Sequence, residues 1–373
     1  MKQIIVTCSE FDKIGFIPTV IIGFYQSSMK VSFFEDYQKL KERFPHVDII
    51  GCSSESNIYD FIPHVFFEEK DLCVFLCLDI GKEAYQIELH TPESIMEKQE
   101  ANGVSYGALM FSSRYFLSME EIIVSLQKEK NIKPVLGAIA SVVSSSKMKD
   151  GMIFWNGKYY ADHILLWLID TKCYILEGKS IHHFQPVGFD MEVTKAKDNI
   201  LYEIENRPAL DVLEEIVGDI TEETITSFDH PFFLKEKENG KLSFTSSPLC
   251  SIRAIDKKRG TVSLYRSVHE YAKLKIGVAR GREEQEKQLE AFSVFRKRKN
   301  AVAFIFNCVG IKANLGLMEF VYLMDLKKKL QLPFIGFHSF GEIGSVDEGK
   351  YSVLHNQTIS VAILSEREGT VCN

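Results

Sequence analysis

The sequence predicts an α/β protein of two domains, with mixed sheets built on repeated βαβ units and extended by antiparallel hairpins. Three observations lead there: a unit that recurs three times, a glycine in each copy's closing apolar run, and glycine-turn dipeptides between the copies. The first copy reads TVIIGFYQ, SFFEDYQKLKERFP and VDIIGCSSESNI. The second reads GALMFSS, SMEEIIVSLQKEKNIKP and VLGAIASVVSSS, and the third AVAFIFNC, LMEFVYLMDLKKKLQLP and FIGFHSFGEIG. Each is an apolar β run, a stretch of helical period, a proline or near-proline stop, and a second β run that ends in glycine and small residues.

The middle segments carry the helices. In the third copy Leu317, Phe320, Val321 and Met324 recur at helical spacing, and Lys327, Lys328 and Lys329 suit the negative end of the helix dipole. Pro134 and Pro333 stop continuation. Strand, helix and strand within about thirty residues favour parallel neighbours. Gly51, Gly137 and Gly336 then fall at equivalent places near strand C-terminal ends, the edge at which open α/β sheets bind ligands. Between the copies, Asn156-Gly157 predicts a hairpin, and DKKRGTVSLY and ENGKLSFTS carry similar turns. RPALDVLEEIVG predicts a helix with Pro208 in its first turn and Gly218 as its stop. A boundary near residue 200 divides the chain into domains 1–200 and 201–373.

Composition narrows the function. At 373 residues the chain has room for two cores, and 45% hydrophobic with 25% charged residues is ordinary for a folded protein. The formal charge of −7 argues against a nucleic-acid partner. The dense basic run FRKRKN follows REEQEKQLEAF, so acids open and bases close one predicted helix, an arrangement that needs no nucleic acid. None of the eight cysteines forms a CxxC pair and most lie in apolar runs; Cys73 and Cys77 share one strand face. Reduced thiols, no metal, no cofactor and a cytoplasmic location are expected. The apolar run HILLWLI is strand-sized, so no membrane insertion is expected.

Four stretches in order resemble the FIST family, named for F-box and intracellular signal transduction proteins. GCSSESNI at Gly51 to Ile58 resembles its N-terminal Gly-Cys-Ser turn. FQPVGFDMEVTKAKDNILYEIENRPAL resembles the segment joining its halves, IFNCVG its C-terminal strand ending in Cys, and PFIGFHSFGEIG with HNQT its closing motif. The resemblance implies a paired sensory module that binds a small molecule, an amino acid or related metabolite, and is not an enzyme. No output domain follows HNQT, so the expected partner is a separate signalling protein. Ser56-Asn57 stand where relatives often carry Gly then Glu, Ser141-Val142 where they carry Gly-Asp, and Ile311 where they carry Arg.

An α-amino acid needs donors for its carboxylate and acceptors for its ammonium. Cys52, Ser53 and Ser54 offer a small-residue anion cradle, and Ser112, Ser113 and Arg114 face it from the second copy. Glu342 is the expected ammonium partner, with His338 and Ser339 beside it. Each has a plainer role open to it. The serines can satisfy turn backbone, Glu342 can cap a turn, His338 can bond a carbonyl, and Arg280 can form a surface pair. His355, Asn356 and Gln357 are expected to bond neighbouring loops. Two alternatives remain: a hydrolase or transferase using Cys52 with His338 as base, and a protein-interaction scaffold. No GxSxG, P-loop, GxGxxG or HExxH motif supports the former.

Overall fold

A computed structural model describes residues 1–59, 73–97, 105–143, 150–221, 225, 230–235, 249–346 and 351–369. All three βαβ copies form. Val20–Gln26 runs parallel to Asp48–Ser54, Tyr106–Ser112 to Ile132–Ile139, and Ala301–Cys308 to Phe334–Ser339. The connecting helices are Lys30–Arg43, Met119–Lys128 and Met318–Leu330. Each first strand also takes an antiparallel neighbour on its other edge: Cys73–Asp79, Ile164–Asp170 and Ile359–Glu366 respectively.

The copies are then stitched together by exchanged strands. The strand that follows the first copy, Asn57–Tyr59, pairs with the third copy's Phe334–Ser339. The strand after the second copy, Ile153–Trp155, pairs with the first copy's Asp48–Ser54. The strand after the third, Glu342–Val346, pairs with the second copy's Ile132–Ile139. A three-membered ring results, in which each copy completes its neighbour's sheet.

Packing follows the same symmetry. Phe24, Phe111 and Phe306 occupy equivalent places, one residue beyond the register partners of Gly51, Gly137 and Gly336. They meet in a central core whose ring centroids lie 5.7 Å apart for Phe24–Phe111 and 6.1 Å for Phe111–Phe306. Each helix covers its own outer core: Phe33 and Leu40 in the first copy, Ile122 and Leu126 in the second, Leu326 and Leu330 in the third. The mixed α/β class is therefore what the chain adopts.

A second lobe is formed by the described residues between 184 and 279. Its sheet includes Phe184–Lys197, Ile200–Ile204, Thr261–Leu264, Ile252–Asp256 and Lys273–Ala279, packed with the helix Ala209–Val217 around Leu213, Val262 and Leu274. Pro208 immediately precedes that helix and Gly218 ends it at φ 86°, as expected. The expected cut at residue 200 falls within the lobe's hairpin; the cores group residues up to Ile181 with those from Leu289 onward.

Both legible hairpin turns form, with Asn156 and Gly157 at φ 42° and 90° and Gly260 at φ 65°; ENGKLSFTS lies outside the described residues. The helix Met318–Leu330 differs from its apolar pattern. Leu317 is 95% exposed and Phe320 is exposed, while Tyr322, Leu323, Leu326 and Leu330 are buried. Another stripe of the same helix won, one that brings Glu319 inward. The basic run closes an α-helix Arg282–Leu289 that tightens into a 3₁₀ stretch, and Arg298 binds Glu177. Cys8, Cys52, Cys73, Cys77, Cys250 and Cys308 carry no disulfide, but Cys173 is disulfide-bonded, against the expectation of thiols throughout.

Candidate functional site

The strand-end glycines are required by close approach. A Cβ would lie 1.9 Å from the Gly23 carbonyl oxygen at Gly51, 1.9 Å from that of Met110 at Gly137, and 1.8 Å from that of Ile305 at Gly336. Beyond these contacts the three chains converge. Ser53 Oγ donates to the Ser141 carbonyl at 3.0 Å, and Ser141 N returns a bond to the Ser53 carbonyl at 3.2 Å. Ser141 Oγ donates to the His338 carbonyl and accepts from Glu55 N at 2.7 Å. His338 N donates to the Ser56 carbonyl at 2.9 Å. One rim thus joins all three copies.

A polar pair recurs on that rim. Ser54 and Ser339 each stand three residues past their glycine. Ser54 Oγ donates to Asn57 Oδ1 at 2.6 Å, and Ser339 Oγ to Glu342 Oε1 at 2.7 Å. Asn57 and Glu342 are equivalent residues of exchanged strands, each one before the residue that faces the partner glycine. The second copy replaces this pair with buried Ala140 and Ile153. Glu342 is 0% exposed, and its Oε2 has no hydrogen-bond partner. Burial raises its pKa far above the carboxylate range against the opposing bond from Ser339, so the fold favours the protonated acid. Cys308 lies beside it, and burial followed by the Glu342 charge pushes that thiol up as well.

His338 is buried with both ring nitrogens engaged. Nδ1 shares a 2.8 Å hydrogen bond with Ser56 Oγ, and Nε2 contacts Glu319 Oε1, which also accepts from Asn307 Nδ2 at 3.0 Å. Lys312 Nζ reaches Glu55 Oε2 at 2.5 Å and Ser56 Oγ at 2.6 Å. Against the cost of burial, the bonds from Lys312 and Ser56 hold the Glu55 pKa low. Among the described residues no group of three or more His, Cys, Asp or Glu is placed to hold a metal, and no helix is long and apolar enough to cross a membrane.

The family models for the FIST N domain and the FIST C domain match residues 19–207 and 209–345. The chain belongs to the FIST family. FIST domains are sensory domains of signal-transduction proteins, which assigns this chain a sensory, signalling role. No curated protein matches it.

Within this FIST protein the rim brings together Ser53, Ser54, His338, Ser339 and Glu342. Ser112 and Ser113 close the second copy's first strand: Ser112 Oγ donates to the Arg114 carbonyl at 2.7 Å, and Ser113 Oγ accepts from His163 N at 3.0 Å. The Arg114 side chain turns to the surface, where Nε pairs with Asp162 at 2.5 Å and the guanidinium lies 4.7 Å from the Phe116 ring. Cys52 corrects the alternative built on it. Its side chain is 0% exposed among Phe24, Phe111 and Phe337, and burial raises the thiol pKa far above its ordinary value. Burial disfavours a thiolate there, and His338 bonds Ser56 and Glu319 rather than Cys52. Asn356 and the turn residue Gln357 bond or pack against neighbouring loops as expected. Arg280 Nε donates to the Phe184 carbonyl at 3.3 Å, outside the rim. Sequence reasoning missed Glu319, Asn307, Lys312 and Ser141. Glu319 had a signal: it is an acid one residue from the apolar stripe, on the turn that faces the sheet.

Proposed function

We propose that this FIST protein is a sensor that binds a small polar metabolite, an amino acid by preference, at the rim of its three joined strand ends, and reports occupancy to a separate signalling protein without catalysing a reaction. The observation that carries this reading is Glu342: a fully buried carboxyl with Oε1 bonded by Ser339 and Oε2 lacking a well-formed hydrogen bond, although the Cys308 thiol and the Thr358 backbone stand close to it. Such a group is costly to bury and is retained where it meets something. An arriving ammonium would restore the charged form, and the displaced proton would leave to solvent. In this reading Ser53 and Ser54 border the site and Cys52 shapes it from below as a small apolar group, while Ser112, Ser113 and Arg114 are engaged away from it.

We take one helix as the path of the report. The helix Met318–Leu330 holds His338 through Glu319 on its inner side, while Met318, Val321 and Tyr322 line a surface groove with Arg282 and Asp325 on its outer side. Movement at the rim therefore shifts a helix that a partner can read. A cytoplasmic setting accords with the six cysteines that carry no disulfide, Cys173 apart.

Thermal unfolding of the full chain against each of the twenty amino acids tests the proposal. A binder held at a hundred times its Kd adds about 2.7 kcal/mol of stability. Glu342→Gln should abolish the shift, because a neutral amide cannot take an ammonium's charge. Full retention of the shift in that variant would refute the assignment of Glu342.

A further inference from the structure

The lobe of residues 184–279 meets the rim end of the body through polar contacts. Ser251 N donates to Asn356 Oδ1 at 3.4 Å, and Ser267 N to Glu120 Oε2 at 3.0 Å. Glu120 Oε1 lies 3.1 Å from Arg266 Nε, and the rings of Tyr115 and Tyr265 meet edge-on at 5.3 Å. Buried polar atoms without a hydrogen-bond partner stand on both sides of this junction. They are Ser251 Oγ and Arg266 Nη1 on the lobe, and Glu342 Oε2 and His355 Nε2 on the body.

These atoms belong to one neighbourhood. Glu342 and His355 are directly opposed in an antiparallel pair, so their side chains leave the sheet on the same face. Burial and then the nearby Arg266 charge keep His355 neutral, its pKa lowered to about 3. Tyr265 in turn lies within electrostatic reach of Cys308, the neighbour of Glu342. A guanidinium and a hydroxyl, each with a buried polar atom that makes no hydrogen bond, thus stand on the lobe side of a junction whose body side carries His355 and, opposite it in the sheet, Glu342. An α-amino acid carries its two opposite charges only a few ångströms apart, and needs groups of opposite sign at that spacing.

We propose that Arg266 and Ser251 take the carboxylate of a zwitterionic amino acid whose ammonium is taken by Glu342, so that the ligand bridges the lobe and the body. This rests on the reading of the rim as the ligand site. Arg266 is suited to the task because a guanidinium has five donors, so the pairing with Glu120 leaves others for a second carboxylate. A bridging ligand couples occupancy to the position of the whole lobe, which a rim-only ligand does not.

The test compares ligand chemistry on the full chain. For each amino acid that raises the melting temperature, the matching carboxamide and the decarboxylated amine are titrated by calorimetry. The amino acid should bind at least about tenfold tighter than either, the worth of one charge-assisted contact. Ser251→Ala and Arg266→Gln should erase that advantage while leaving the affinity for the amine unchanged. Arg266→Lys keeps the Glu120 pairing and serves if the glutamine variant does not fold. An amine that binds as tightly as its parent amino acid, in a manner lost in Glu342→Gln, would overturn the bridging assignment and leave the rim intact. No shift with any of the twenty amino acids would overturn both.

Discussion

Glu342 makes a prediction that needs no ligand. Its folded-state pKa is raised, so the folded chain keeps a proton that the unfolded chain releases above the ordinary carboxylate range. The folded state then binds more protons, and stability falls as pH rises, by at most about 1.4 kcal/mol per pH unit. Three histidines act in the opposite sense. Burial lowers His182 and His183 to about 4 and His355 to about 3. The unfolded chain takes up protons on them below its ordinary value near 6.5, so stability falls as pH drops from there toward 4. Three histidines outweigh one carboxyl between these limits; from pH 7 to about 8 Glu342 sets the slope, and nearer the ordinary thiol range the buried cysteines add to it in the same sense. Urea midpoints should therefore peak near pH 6.5 to 7. Glu342→Gln should flatten the slope between pH 7 and about 8 and leave the acid limb in place; an unchanged slope in that range would show that Glu342 is ionised in the fold. Ser54, Ser339, His338 and Glu342 were legible as site candidates because each sits at a fixed offset from a repeated glycine. Ser251 and Arg266 were not, since only the folded chain brings their lobe against the body.

At the scale of elements, the βαβ units were readable from period and punctuation, and the Asn156-Gly157 turn from backbone preference alone. The strand exchange was not readable. Asn57–Tyr59, Ile153–Trp155 and Glu342–Val346 are short, and which sheet each completes is decided by distant partners. The buried stripe of Met318–Leu330 was misjudged for a related reason: apolar spacing identifies a helix but not which of two stripes meets the sheet. Gly336 tests the close approach of the parallel pair. Gly336→Ala should destabilise the chain by about 3 kcal/mol, because the new methyl meets the Ile305 backbone and nothing flexible can give way. Gly188→Ala meets no atom within 4 Å and is strained only by its φ of 76°, so it should cost about 1 kcal/mol. Chemical denaturation of both variants checks the order. A second helix test is Glu319→Gln, which removes the charge opposite His338 and should lower stability by about 2 kcal/mol.

The whole molecule is a ring of three copies with one β-rich lobe over the end where their strands finish. The division of the sequence near residue 200 follows the order of motifs along the chain, whereas the hydrophobic cores join the first and last copies and set the lobe apart. That arrangement puts a buried acid and a rim of serines at the end of the body that the lobe meets. Hydrogen exchange of the full chain, with and without the amino acid that most raises its melting temperature, tests this most directly. Added protection should appear together at the ends of Asp48–Ser54, Ile132–Ile139 and Phe334–Ser339 and across 249–266 of the lobe. Protection confined to the outer groove of Arg282–Leu289 and Met318–Leu330, with the strand ends unchanged, would contradict the account.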